Sequence, residues 1–314
     1  MISVVRYNNK RKAEWDQFCK ESKNPLFMFN RDYMDYHQDR FVDHSLMFYN
    51  GDKLVALLPL SEKLEILISH GGLTYGGFIT SNKMKQSIMN ECFTEFISYA
   101  QKRNFKKIIY KTIPHIYHVQ PAEEDRYSLY INAGELLKIE PTTVINLKEP
   151  LKMANLRKRQ ISKAKREKIT VEELNTKEHY DNFIKLLNNV LVSRHNTYAV
   201  HTSDELFLLH TRFPDNIRLY GTLLGEELIA GTVVFEYETI VHTQYLAANE
   251  TARKVGALDL IIENLINKYR ETKLWFDFGI STEENGHILN EGLISQKEGF
   301  GGRTNIYETF KIDL

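Results

Sequence analysis

Cysteine is nearly absent. The 314-residue chain has two, Cys19 and Cys92, and neither lies in a Cys-x-x-Cys pair or a Cys/His cluster. That excludes a disulfide framework and a thiolate metal site, and it leaves two reduced, partly buried thiols of the kind a cytoplasmic protein keeps. A catalytic thiol has no His or acidic partner that can be assigned to it. An excess of charge of one sign is also missing: Lys+Arg 41 balances Asp+Glu 41, so nothing global draws the chain onto nucleic acid or an anionic membrane. No stretch approaches the roughly 20 apolar residues of a membrane span, and the opening residues lack the apolar core of a signal peptide. A cytoplasmic location is the expectation, with any link to the cell envelope made through the substrate. His195 and His201 have no third ligand at metal spacing, so no metal site is expected.

What is present is ample apolar content, 42% hydrophobic residues, enough for one large domain or two ordinary ones. Residues 2–7 predict a strand, 12–20 and 30–40 helices, and 45–49 and 53–60 a hairpin across Asn50-Gly51. A strand at 64–69 precedes His70-Gly71-Gly72 and Gly76-Gly77, which bracket Tyr75. A long amphipathic helix at 84–103 carries Ile88, Cys92, Phe96 and Ala100 on one face, and a strand follows at 106–111. The second half repeats this grammar. It has a strand at 170–174, helices at 180–194 and from Ser203 through His210, a hairpin of 217–223 and 228–237, a strand at 239–247, a long helix at 258–269 and a strand at 274–278. A last strand is expected at 304–312. The matched order of elements reads as an internal duplication: residues 1–150, a basic linking helix at 151–168, and 169–314. Residues 152–168 hold eight Lys/Arg against the single acid Glu167, with Met153, Leu156, Gln160 and Ala164 at helical spacing.

The most informative stretch is 229–303. A strand runs into a Gly-containing bend, a long helix follows at once, and a second Gly-rich turn closes the segment beside Lys297. Such a passage offers backbone N–H groups where a phosphate can sit. Gly256 allows close backbone approach, and Arg253 and Lys254 add positive charge; the plain alternative is a strand-to-helix turn with solvated basic residues. His242, on a central strand, is the first candidate base, with Gln244 expected on the same face and Thr243 and Tyr245 on the other. Asp277 and Glu298 are further options, and Tyr245 is placed either as a proton donor or as a core tyrosine. Lys297 is placed either at a phosphate or oxyanion or on the surface.

The order of elements resembles the GNAT acyltransferase superfamily, and most closely its duplicated FemAB-like branch. The basic segment Lys158, Ile161, Lys163, Ala164, Arg166 is similar to the R-x-x-I-x-K-A-x-R-x-G motif of that branch. Tyr245, Ala247 and Ala252-Arg253-Lys254-Val255-Gly256 resemble its strand end and A-R-K-x-G. Phe276, Asp277 and Gly279 resemble its F-D-x-G, and Lys297, Gly299, Phe300, Gly301 and Gly302 its closing F-K-x-G-F-G-G. The resemblance spans most of 155–303; in the first half it rests on element order alone. The superfamily's donor loop is Q/R-x-x-G-x-G/A, whereas here the small residue is Ala257, one place early.

The resemblance implies an α/β (α+β) fold of tandem GNAT-like domains with mixed, mostly antiparallel sheets flanked by helices. It implies N- or O-acyl transfer by direct attack, with acetyl-CoA as co-substrate rather than a resident cofactor. The acceptor it implies is a sugar, nucleotide sugar or other envelope polysaccharide precursor. Ala247, Arg253, Lys254, Gly256 and Ala257 would face the donor, with His242, Tyr245, Asp277 and Lys297 at the transfer step. Arg194, Tyr198, Arg303 and a stacking Tyr75 would face the acceptor, in a cleft between the halves. A Gly256→Glu variant is then expected to lose donor binding with its fold intact. Two alternatives stay open: an aminoacyl-tRNA-dependent FemAB-type ligase of peptidoglycan precursors, favoured by the basic helix, and an inactive GNAT-like binding or scaffold protein.

Overall fold

A computed structural model of the chain describes residues 1–314, apart from the side chains of Arg194 and His195. It separates into two compact units, Met1–Pro141 with Glu284–Ile288 and Ile306–Leu314, and Thr142–Glu283 with Leu289–Asn305. The first break therefore falls at Pro141/Thr142, ahead of the expected boundary at 150, and the last strand crosses back.

The first unit begins with β1 (Ile2–Arg6), α1 (Lys12–Glu21), the single turn α2 (Arg31–Met34), β2 (Val42–Asp43), β3 (Leu46–Asn50) and β4 (Lys53–Leu58). It continues with β5 (Ser61–Lys63), β6 (Ile66–Ile68), β7 (Ile79–Thr80), α3 (Gln86–Lys102), β8 (Lys107–Lys111) and α4 (Glu124–Ile131), and then enters β9 (Glu135–Asn146). The expected hairpin closes with Asn50 opposite Lys53, and Gly51 takes φ +60 at the turn, the left-handed value that glycine favours. Strands β1, β3, β4 and β7 form an antiparallel sheet in that order. Phe78, Phe93, Phe96 and Tyr110 pack with Phe48 and Leu58 to form the core. The buried stripe of α3 is Met89, Cys92, Phe93, Phe96 and Ala100, so Ile88 lies at its margin.

The second unit contains α5 (Asn155–Arg166), β10 (Glu172–Leu174), α6 (Lys177–His195), α7 (Ser203–Arg212), β11 (Ile217–Leu224), β12 (Glu227–Glu236) and β13 (Ile240–Ala248). After these come α8 (Glu250–Val255), α9 (Ala257–Tyr269), β14 (Trp275–Ile280), β15 (Thr282–Glu283), β16 (Ile288–Leu289), α10 (Glu291–Glu298) and β17 (Arg303–Asp313). Strands β10 to β13 are antiparallel neighbours, in the same succession as the four-stranded sheet of the first unit. The unit then differs: β14 pairs parallel to β13, and the end of β9 pairs antiparallel to β14. Ile229, Val234, Val241, Ile261, Leu265 and Phe276 are among its core residues. The sheets are thus mixed and mostly antiparallel, with helices flanking them. No described helix is long and apolar enough to cross a membrane.

Candidate active site

Strands β13 and β14 run side by side only as far as the pair His242–Asp277, and no further rung of that ladder appears among the described residues. On its other edge β13 carries a bulge: Val233 faces Tyr245 and Val234 faces Thr243, so Gln244 is the extra residue. The bulge resets the alternation, which corrects the expectation that Gln244 shares a face with His242 and Thr243 one with Tyr245. Thr243 and Gln244 both border a groove of about 510 Å³ that opens beside β13. Leu246 of β13, Phe278 of β14, Arg157 and Gln160 of α5, and Lys297 of α10 complete much of its wall.

His242 and Asp277 form a buried pair; each precedes a groove-lining residue by one position, Thr243 and Phe278, and neither lines the groove itself. The imidazole Nδ1 lies 2.9 Å from Asp277 Oδ2, and Asp277 is wholly buried. Asp277 Oδ1 accepts a hydrogen bond from the Gly279 N–H at 2.9 Å and another from the Thr142 hydroxyl. A carboxylate receiving three donors is fixed in place, and its demand for a proton donor puts the hydrogen on Nδ1 and the lone pair on Nε2. Gly279 makes room for this ring. Its φ is +73, and a Cβ there would come 3.1 Å from His242 Cε1. The F-D-x-G motif therefore supplies both the carboxylate and the space for the imidazole.

Lys297 is buried, and its ammonium donates to the Gly279 carbonyl at 2.9 Å, the Ile280 carbonyl at 2.6 Å and Ser281 Oγ at 3.0 Å. Burial pushes its pKa down to about 8, partly offset by the charge of Asp277. All three N–H donors are directed at the end of β14. The lysine fixes the strand end that carries Asp277 and Gly279, although it also borders the groove.

The segment expected to cradle a phosphate is helical. The Asn249 side chain accepts the Ala252 N–H at 2.9 Å and starts α8, and Gly256, at φ +79, links α8 to α9. A Cβ on Gly256 would lie 2.3 Å from the Gln160 carbonyl oxygen, so the bend is covered by the backbone of α5. The glycine is needed for this helix contact, and the expectation that Gly256→Glu leaves the fold intact is corrected. Beside the bend, in the first turn of α9, Asp259 accepts a hydrogen bond from Arg157 Nη1 at 2.7 Å. Burial pushes the Asp259 carboxyl up, and the Arg157 guanidinium pulls it back part of the way.

The other sequence-predicted residues are placed as follows. Arg253 borders the groove and a neighbouring cavity of about 460 Å³, and its Nη2 donates to the Ala248 carbonyl at 2.8 Å. Lys254 is exposed, whereas Ala247 and Ala257 are buried; none of these three borders the groove. The Tyr245 hydroxyl is 2.6 Å from His201 Nδ1, and burial raises its pKa. Tyr198 and Arg303 are exposed, the latter donating to the Gly302 carbonyl at 2.6 Å. The side chain of Arg194 lies outside the described residues. Tyr75 is 2% exposed in the first unit, with its ring against Tyr117 and Tyr307, so the expected stacking platform has no open face. Sequence reasoning missed Arg157, Asp259 and Thr142. Arg157 sat unremarked among eight basic residues, and only its distant partner distinguishes it.

Residues 152–285 match the family described as Acetyltransferase (GNAT) domain. Among solved structures, FemX is similar at a TM-score of 0.69 and 11% identity, over 99% of this chain and 97% of its own. L-PGS from Bacillus licheniformis is similar at 0.65 and 12% identity, over 98% and 92%. A tandem GNAT protein from the clavulanic acid biosynthesis pathway is similar at 0.53 and 10% identity, over 100% and 98%. No curated protein sequence matches. At such identities the structural likeness is one of fold: residues 152–285 match a GNAT domain, and the chain as a whole has a fold like that of FemX and of the tandem GNAT protein.

Proposed function

We propose that this protein is a cytoplasmic acyltransferase whose second unit moves an activated acyl group to an amine or hydroxyl. The observation that carries the proposal is the buried His242–Asp277 pair at the last rung before β13 and β14 part, each residue one position before a groove-lining residue, Thr243 and Phe278. In this reading the donor's acyl arm lies along β13, beyond the last rung of the β13–β14 ladder. The acceptor attacks the carbonyl carbon, His242 Nε2 takes the proton the nucleophile loses, and Asp277 stabilises the imidazolium. Backbone N–H groups around the bulge at Gln244 face the developing oxyanion. The tetrahedral intermediate collapses with loss of the carrier, and no covalent enzyme intermediate forms.

An aminoacyl ester on tRNA is the donor we favour. The FemAB-like fold supports it, and so does α5, where Lys158, Arg159, Lys163 and Arg166 are exposed on a chain of zero formal net charge. Acetyl-CoA is the second reading. It is supported by the acetyltransferase domain match and by the tandem GNAT neighbour, a structure without AcCoA. On the family resemblance, the acceptor is a precursor of the cell envelope, a sugar or a peptidoglycan unit.

The test is single-turnover transfer from radiolabelled aminoacyl-tRNA and from acetyl-CoA to a panel of envelope precursors, with wild type and His242→Ala. Loss of about 10²–10⁴ in rate is expected for the variant. Equal rates would remove His242 from the reaction. No transfer by wild type from either donor would favour a binding protein instead.

A further inference from the structure

The groove wall carries three cations, Arg157, Arg253 and Lys297. Lys297 is directed at the end of β14, and Arg253 donates to a backbone carbonyl. Arg157 is paired with the Asp259 carboxylate at hydrogen-bond distance. The pair is largely out of solvent, with side-chain exposures of 15% and 9%. Arg157 is also held from behind: its guanidinium lies 5.8 Å from the Phe300 ring centre, and Gly299 leaves space for its stem.

The location of the pair gives it meaning. Asp259 stands in the first turn of the 13-residue α9, where the unpaired N–H groups of a helix favour negative charge. Its carboxylate accepts from its own backbone N–H as well as from Arg157. On the adjoining bend the Gln160 carbonyl oxygen presses against Gly256. The protein thus supplies its own anion to the start of α9 and puts a second oxygen over the bend. A diphosphate brought there would meet a carboxylate and a carbonyl dipole, and Arg157 would already be neutralised.

We propose that Asp259 selects the donor. With Arg157 it excludes carriers that present a diphosphate at the start of α9, and it leaves the groove to an acyl group carried on an ester without one. The inference rests on reading the groove as the donor site. It extends that reading by naming the residue that separates the two donor classes.

The experiment is calorimetric titration of the full-length protein with inorganic pyrophosphate and with CoA. Wild type, Asp259→Asn and the double variant Asp259→Asn/Arg157→Gln are compared, each checked for folding by circular dichroism. Wild type should bind neither ligand at millimolar concentration. Asp259→Asn, which frees Arg157 while keeping side-chain shape, should gain at least about tenfold in affinity for both, and the double variant should lose that gain. If Asp259→Asn does not fold, Asp259→Ser, which keeps a capping hydroxyl in the first turn, gives the same readout. Tight CoA binding by wild type overturns the proposal and strengthens the acetyl-CoA reading. A folded Asp259 variant no better than wild type overturns it as well. Neither result depends on transfer activity, so both stand apart from the outcome for His242→Ala.

Discussion

Replacing Gly256 by alanine tests the closure of the donor bend directly. Two costs are separable. Gly256 has φ +79, and an alanine held in the left-handed region costs about 1–2 kcal/mol. The new methyl would also lie 2.3 Å from the Gln160 carbonyl oxygen and 2.8 Å from its carbon. These are backbone atoms, so no rotamer change relieves the clash and α5 must shift as a body; overpacking of that kind costs about 1–3 kcal/mol more. Gly225 provides the control. It has φ +63 but nothing within 4 Å of its added Cβ, so Gly225→Ala incurs the first cost alone. Equilibrium urea unfolding in a Trp15→Phe background, with Trp275 reporting on the second unit, should show Gly256→Ala to be less stable than Gly225→Ala by at least about 1 kcal/mol. Equal losses would mean that α5 does not sit on the bend, and the case for a self-occupied anion position would fall with it.

Two further outcomes are expected. Lys297 has a folded-state pKa of about 8 against an ordinary 10.5, so between those values the unfolded chain binds more protons and this group's contribution to stability rises with pH. The stability of wild type minus that of Lys297→Met should therefore grow by about 3 kcal/mol from pH 8 to 10.5, and a flat difference across that range refutes the buried ammonium. Changing Arg159, Lys163 and Arg166 of α5 to Gln should lower the slope of log K against log salt for tRNA binding by about 2–3. An unchanged slope removes this helix from the contact.

Much of the fold was legible because local chemistry and the final structure agree. Asn50-Gly51 gave a hairpin, and the helix at Ser203 begins one residue after Thr202, which forms a capping box with Glu205. The F-D-x-G match fell on residues that meet in space, since His242 and Asp277 sit opposite each other in a parallel ladder. Other elements carried weak signals. β9 contains Pro141 directly after the charged pair Lys138 and Glu140, which argues against a strand on sequence alone. α8 has six residues and no apolar stripe, and α10 buries only Lys297. The bulge at Gln244 depends on register with β12, and the Arg157–Asp259 pair joins residues 102 positions apart. Neither leaves a local trace. Gly256 was singled out correctly as special, but its neighbour is a helix backbone, and no pattern in the surrounding residues distinguishes that from a ligand.

The path of β17 has a genetic consequence. Its opening residues belong to the second unit, while the stretch from Ile306 onward belongs to the first, where Thr309 to Asp313 pair with β8. Neither half is therefore one uninterrupted piece of the message. A fragment cut out around position 150 would carry β8 with a bare edge, an invitation to aggregate, and a frameshift across codons 306–314 would wound the half encoded first.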